Sequence, residues 1–471
     1  MLIGFVFFYM LVSIAIGLYA ARRVRSSADY VVAGRSLPLY ITIATVFATW
    51  FGSETVLGIP ATFIEEGIGG VISDPFGAAL CLVLVGLVFA VPLYRMKLLT
   101  IGDFYKRTYG RRVELLISIC ICISYLGWVS AQVMALGLVF NLLTDGAIPD
   151  TYGMALGLGI VLVYTVFGGM WSVALTDFLQ MIMIVAGLVV IAFYITSVAG
   201  GAGVVIDAAA SAGKFGNFWP DLTLPGILAF VAAWLTMGFG SIPQQDVFQR
   251  VMSAKSEKAA KYGTITGGIF YLLFAFIPIY LAYSAFVIQP DIVAAQLQTD
   301  SQIILPSLIL QHTPMWVQIA FFGAVLSAIM STASGTLLAP SVTFAENIAR
   351  GFLPDMDDRQ FLKLIRLCVF GFAAVVLAIS LNSELSIFEM VENAYKVTLA
   401  GAIVPLFAGL FWKQASEGGA LTSIALGIGT WLVMECVSPE GEGICPPQLA
   451  GFAAAAAGMV SGSYLFKRKP A

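Results

Sequence analysis

The 471-residue chain is 59% apolar and only 11% charged, with a mean hydropathy of +0.94. A soluble domain of this length needs about twice that charged fraction to cover its surface, so composition excludes a soluble enzyme. The formal net charge of −3 says little about partners, and no basic stripe points to nucleic acid, so no nucleic-acid partner is expected.

The charged residues cluster between long apolar runs, each of the length that crosses hydrocarbon as a helix. Backbone groups in lipid must be satisfied internally, and the runs are too long and continuous for barrel strands. Thirteen spans are predicted, at about 2–20, 38–62, 76–94, 113–143, 152–168, 172–199, 225–243, 262–288, 316–340, 362–382, 389–412, 418–437 and 449–466. The first lacks a basic leader and a cleavage site, and Arg22, Arg23 and Arg25 follow it, so it reads as a retained helix rather than a signal peptide. With the N-terminus outside, 22 of the 24 Lys and Arg fall on the inner side, including Arg250 and the terminal Lys467, Arg468 and Lys469. Only Lys214 and Lys396 fall outside. That asymmetry predicts a multi-pass protein of a bacterial inner membrane with a cytoplasmic C-terminus.

No linker divides the chain, which reads as a single transporter-like domain: a leading helix (2–20), a first repeat (38–199), an inverted repeat (225–412) and trailing helices (418–466). The long outer loop 289–315 carries Asp300-Ser301-Gln302 and Leu305-Pro306, which predict one short external helix. Cys81, Cys120, Cys122 and Cys368 lie within spans as small packing residues. Cys436 and Cys445 flank the last outer loop, where a disulfide is an open alternative.

Two spans are interrupted. The second carries Gly52-Ser53 and Gly58-Ile59-Pro60, and the seventh carries Gly238-Phe239-Gly240-Ser241-Ile242-Pro243. Such residues often only kink or pack a membrane helix. Here they lie five spans apart, an odd number, so the second set is inverted. Broken helices at matching positions of inverted repeats point to a transporter site.

Few ionisable groups remain inside the spans, and each is costly there. Asp177 lies one to two turns into the sixth span, after Gly168-Gly169-Met170-Trp171-Ser172, with Ser172 the expected helix cap. Glu54 lies in the first break, as a substrate or proton group or as a helix-end carboxylate on freed amides. In the ninth span Ser327, Ser331 and Ser334 share a helical face, and Thr332 adjoins them. Hydroxyls and freed carbonyls suit a hard cation such as sodium, although hydroxyls in such helices also bond back to their own turn. Trp50 and Trp128 sit mid-span, where a cation–π role or apolar packing are both open. Tyr125, Trp234 and Phe239 also lie near the breaks, Gln132 is a buried amide one turn after Trp128, and the lone His312 lies in an outer loop.

The run Tyr164-Thr165-Val166-Phe167-Gly168-Gly169-Met170-Trp171-Ser172, then Thr176-Asp177 and Gln180, resembles the signature of the sodium:solute symporter family. So do Asp29-Tyr30, Ala33-Gly34-Arg35, Leu37-Pro38, Phe248-Gln249-Arg250 and Ala328-Ile329-Met330-Ser331-Thr332. The resemblance covers nearly the whole chain. It implies an all-α integral membrane protein with the inverted five-helix repeat of the bacterial leucine transporter, one leading and two trailing helices. It further implies a sodium site at Ala48, Phe51, Ala328, Ser331 and Thr332. Asp177 and Ser334 match a second sodium site of some members, with Gly335 standing where those carry a hydroxyl. The implied solute site involves Trp50, Ser53, Glu54, Trp128, Gln132, Gly240 and Gln244. Trp50 and Trp128 match aromatic positions of choline transporters, Gln244 stands in place of their third aromatic, and Glu54 falls where sugar transporters place an acid.

The expected function is sodium-coupled import of a small organic solute by alternating access, either an amino acid such as proline or a choline- or betaine-like amine. A sugar or carboxylate symporter and a membrane sensor with a transporter-like binding domain are the alternatives. An end at Lys467-Arg468-Lys469 without an appended signalling domain weighs against the sensor. One histidine and no paired intramembrane acids weigh against a membrane-embedded enzyme.

Overall fold

The computed structural model describes residues 1–353, 355–438 and 443–466, so the terminal Lys467, Arg468 and Lys469 lie outside the described residues. Among these residues the chain is helical, with a single isolated backbone bridge between Leu37 and Ala254. Among the described residues eight helices are long and apolar enough to cross a membrane, or up to eleven when each of three bent pairs counts as one span. The structure gives fewer than the thirteen spans predicted, and two segments bear on the difference. Asp150–Val198 is one continuous element of 49 residues. At about 1.5 Å per residue it would reach about 70 Å, more than twice the ~30 Å hydrocarbon core. Gly169, at φ 50° and ψ −139°, divides it. Pro447–Leu465, predicted as the last span, is a helix that packs along Glu417–Val437 and is not among those eleven.

Only glycine fits at 169. A Cβ there would lie 2.4 Å from the Tyr30 carbonyl oxygen. Tyr30 in turn donates its hydroxyl to the Thr165 carbonyl at 2.9 Å. Ser172 is not the helix cap expected of it. The helix re-forms directly after Gly169, and the Ser172 hydroxyl donates instead to the Gly17 carbonyl of the first helix at 2.5 Å.

The first broken span is Leu39–Trp50 with Glu54–Gly69, bent by 55°. The second is Leu224–Gly240 with Gln245–Ser253, bent by 48°. A third bend, of 44°, joins Ile387–Gly401 to Ile403–Phe411, in a span that reads as uninterrupted from sequence. Lys396, assigned to the outer side by counting, lies inside this third span and is buried. Arg250, assigned to an inner segment, is equally buried. The 289–315 loop holds two helices, Pro290–Thr299 and Ile304–His312, where one was expected. His312 braces it through Gln289 at 2.9 Å. All six cysteines are free, Cys436 and Cys445 included.

The two ends of the bundle differ. A cavity of about 730 Å³ opens where segments 217–220, 301–302 and 386–392 meet. Its walls include Glu65, Glu66, Glu389 and Glu392, and no Lys or Arg among the described residues. The opposite end is closed around Asn347. Its amide nitrogen donates to Asp103 at 3.1 Å and Glu114 at 2.9 Å, and its side-chain oxygen accepts from Thr100 at 2.8 Å. Arg111 donates to the Asn347 carbonyl at 2.6 Å and pairs with Glu114 at 2.8 Å.

Candidate functional site

The site is built on the first break. Leu39–Trp50 ends at Phe51, whose φ of −90° and ψ of 70° turn its carbonyl out of the helical ladder. A π-type turn at Glu54–Gly58 follows, a form that recurs at functional sites. Gly52 sits between two polar side chains. A Cβ there would be 2.5 Å from Glu54 Oε2 and 2.8 Å from Thr332 Oγ1. The glycine therefore leaves open a small oxygen-lined cradle at the break.

Met315–Thr343 supplies the facing oxygens. Thr332 Oγ1 donates to the Thr49 carbonyl at 2.9 Å and reaches the Ala48 carbonyl at 3.5 Å. Ala328 lies one turn before Thr332 and is buried. Hydroxyl and carbonyl oxygens of this kind suit a hard cation. Ser331 instead donates to Asp177 Oδ1 at 2.7 Å. Asp177 Oδ2 accepts from Thr45 and, at 3.4 Å, from Thr49. Ser334, matched to a second cation site, turns its hydroxyl onto the Ser331 carbonyl at 2.9 Å.

Arg250 occupies the neighbouring space. Its guanidinium donates to Thr49 Oγ1 at 3.1 and 2.5 Å. A Cβ on Gly335 would be 2.4 Å from Arg250 Nη2, so Gly335 stands where the arginine lies. Asp177 is thus met by three hydroxyls, with a fixed positive charge one residue away through Thr49.

Glu54 is held by side chains as well as at the break itself. Trp128 Nε1 donates to its Oε1 at 3.2 Å and Gln132 Nε2 to its Oε2 at 2.8 Å, while Ser53 Oγ lies 3.5 Å away. Gln132 Oε1 accepts the freed Ser53 amide at 2.9 Å. One side chain thereby satisfies both the break and the acid. The carboxylate accepts from the Trp128 indole, and Trp50 and Tyr395 pack against that ring as a closed aromatic box, its three rings in mutual contact. Ring centroids are 6.0 Å apart for Trp50 and Trp128, 6.3 Å for Trp50 and Tyr395, and 5.4 Å for Trp128 and Tyr395. Trp50 Nε1 and Tyr395 Oη have no hydrogen-bond partner. Tyr271 meets Trp50 edge-on at 6.5 Å and donates its hydroxyl to the buried Asp74.

Gly240 and Gln244 contribute differently from expectation. A Cβ on Gly240 would lie 2.5 Å from the Tyr395 carbonyl, so this glycine lets the second and third broken spans touch. Gln244 donates to Ser124 at 3.0 Å and Thr398 at 3.3 Å rather than to the box. Sequence reasoning missed Thr45, Thr49, Asp74, Tyr271 and Tyr395, and gave Arg250 no role in the site. Tyr395 lies six residues before the Gly401-Ala402 bend, which has no clear mark in the sequence.

The sequence profile of the sodium:solute symporter family matches residues 30–427. The chain belongs to this family. It is similar to the high affinity choline transporter 1 of Homo sapiens, 27% identical over 449 residues covering 91% of this chain and 75% of the relative. It is similar to the high-affinity proline transporter PutP of Bacillus subtilis, 26% identical with 89% of each covered. A solved Na+-coupled sialic acid symporter, in a substrate-bound outward-open state, superposes with a TM-score of 0.85 at 21% identity, covering 100% of this chain and 99% of that one. The symporter therefore has the leucine-transporter type of fold, and it is a membrane transporter, not an enzyme. It couples solute import to sodium by alternating access.

The Gln132 clamp is open to direct test. Gln132→Met removes partners from two buried groups, each costing about 1–3 kcal/mol when left unmet. The symporter's thermal midpoint in detergent is expected to fall by several degrees, with solute uptake cut tenfold or more, as roughly two such terms imply. An unchanged midpoint would contradict the clamp.

Proposed function

We propose that this symporter imports a small organic cation, choline-like in its positive nitrogen, together with one sodium ion. The carrying observation is the buried box of Trp50, Trp128 and Tyr395 with the Glu54 carboxylate bonded to its indole wall. Aromatic faces attract a desolvated cation by about 2 kcal/mol or more, and the adjacent acid supplies the opposite charge. Tyr395 takes the third-wall role that Gln244 leaves open. The acidic walls of the 730 Å³ cavity favour approach of a cation from that end. Its floor, where Phe388 rests against Gly58, is one turn from Glu54 on one helix and two from Tyr395 on the other. The similarity to a choline transporter over 91% of the chain supports the same class.

The proposed architecture is thirteen spans, with 38–199 and 225–412 as inverted halves. The N-terminus and cavity lie outside a bacterial inner membrane, and the Asn347 node is closed on the cytoplasmic side. The basic-residue asymmetry supports this orientation. In this reading sodium lies between the break at Ala48–Phe51 and the Ala328, Ser331 and Thr332 turn, drawing the two helices together. Arg250 supplies the positive charge beside Asp177, which favours a single sodium ion. Once solute and sodium close the cavity floor, opening of the Asn347 node releases both to the inside.

Three outcomes test the reading. Ser331→Ala and Thr332→Ala are each expected to raise the sodium concentration for half-maximal uptake about tenfold, since one charge-assisted contact is worth roughly 1.5–3 kcal/mol. Asp177→Asn is expected to abolish sodium-stimulated uptake. Unchanged sodium dependence in both alanine variants rules out the site. In proteoliposomes with an inward sodium gradient, labelled choline is expected to accumulate, while proline and betaine neither accumulate nor compete. Accumulation of proline or betaine would indicate a carboxylate-binding site instead, and accumulation of neutral sugars alone would make Glu54 and Gln132 hydroxyl binders.

A further inference from the structure

The aromatic box is closed, its three rings in mutual contact, whereas the 730 Å³ cavity at the end of the bundle stands open. That volume lies in the range of about 300–1,000 Å³ common to small-molecule sites. One wall is firmly built. Gly67, at φ 73°, and Gly69 let the segment 214–217 lie against the end of the first broken span, where a Cβ would meet the Lys214 carbonyl at 2.8 Å and the Asn217 carbonyl at 2.6 Å. Ile68 donates its amide to the Lys214 carbonyl at 2.8 Å, and Gly69 donates to Asn217 Oδ1 at 3.1 Å. Asn217 Nδ2 donates back to the Glu66 carbonyl. Phe218 therefore follows directly on a segment pinned to Glu66.

The chemistry of this cavity repeats that of the box. Phe218 and Phe230 both line it, and their rings meet edge to face with centroids 6.3 Å apart and planes at 82°. Glu65 and Glu66 line it as well, exposed and in no ion pair among the described residues. Lys214 Nζ, nearby, goes to the Glu65 backbone carbonyl at 3.0 Å. Two further polar groups in the wall are unmet. Ser73 is only 3% exposed and makes no hydrogen bond among the described residues, and Gln302 Oε1 has no partner. Aromatic faces beside carboxylates hold a positive nitrogen. The Ser73 and Gln302 oxygens offer acceptors for a hydroxyl on the same molecule.

We propose that this cavity is a second binding site for the organic cation, weaker than the box, in which the solute is held by Phe218, Phe230, Glu65 and Glu66 before it passes Phe388. This rests on the organic-cation reading and adds a site to it. Water reaches the cavity, so the same contacts are weaker there than in the desolvated box. A solute held at the cavity floor raises the local concentration at the entrance to the box, as acidic clefts do for cations.

Equilibrium binding of labelled choline to the purified full-length protein in saturating sodium counts the sites. The wild type is expected to bind two cholines per chain, in a tighter and a weaker class. Phe230→Ala and Glu66→Gln are each expected to weaken the weaker class about threefold or more, the factor that one partly exposed cation–π contact supplies, and to leave the tighter class in place. Trp128→Ala, which cuts into the box, is expected to do the reverse. A single choline per chain in the wild type overturns the proposal without any variant. So does a weaker class that neither Phe230→Ala nor Glu66→Gln moves, and so does loss of the tighter class in both. If choline does not bind the wild type at all while a zwitterion or a sugar does, the organic-cation reading itself has failed and takes this proposal with it.

Discussion

An unwound turn inside a membrane helix bundle must find its hydrogen bonds elsewhere, because hydrocarbon offers none. In this symporter the turn is Phe51–Ser53, and its partners come from two neighbouring helices. Gln132 takes the Ser53 amide and holds Glu54, while Thr332 reaches the carbonyls of Thr49 and Ala48. The Glu54 side and the Thr332 side of the break, proposed for solute and cation, are therefore fixed by the same backbone segment, with Gly52 between them. Any side chain at that glycine would collide with both Glu54 and Thr332.

From that turn the contacts close into a ring. Thr332 adjoins Ser331, which donates to Asp177. Asp177 accepts from Thr49, and Thr49 accepts from Arg250. Arg250 donates to the Asp246 backbone, and the Asp246 carboxylate accepts from Tyr125. Tyr125 stacks on Trp128, which donates to Glu54 beside Gly52. Buried polar chains of this kind tolerate little partial rearrangement, since each abandoned group is left unsatisfied. In the proposed reading, a change at the cation end reaches the aromatic box through discrete bonds, which would give sodium a physical route to bias solute binding.

The sequence made the first two breaks legible because glycine and proline mark them, and it made the hydroxyl face of 327–334 legible by helical spacing. It did not reveal the third break. Gly401-Ala402 carries no proline, and its 44° bend arises in packed surroundings. Without that break Tyr395 read as one more aromatic in an apolar span. Arg250 was hidden for a different reason. Counting Lys and Arg assigns a side to a segment and says nothing about which cation folds inward. Asp74 lay just outside the predicted third span, and only the π-type turn at Ile72–Gly77 carries it into the bundle. Ser172 looked like a cap because it follows two glycines. The chain resumes its helix immediately, and the hydroxyl ties the turn to the first helix instead.

The central claim is that one break serves both ligands, so sodium and the organic cation bind cooperatively. Coupled binding equilibria are reciprocal: each ligand must tighten the other by the same factor. The most direct test is to measure choline binding to the purified protein in sodium and in potassium at equal ionic strength, and sodium binding with and without choline. The account predicts that sodium tightens choline binding at least several-fold and that choline tightens sodium binding by an equal factor. Choline affinity that is the same in sodium and potassium would contradict it.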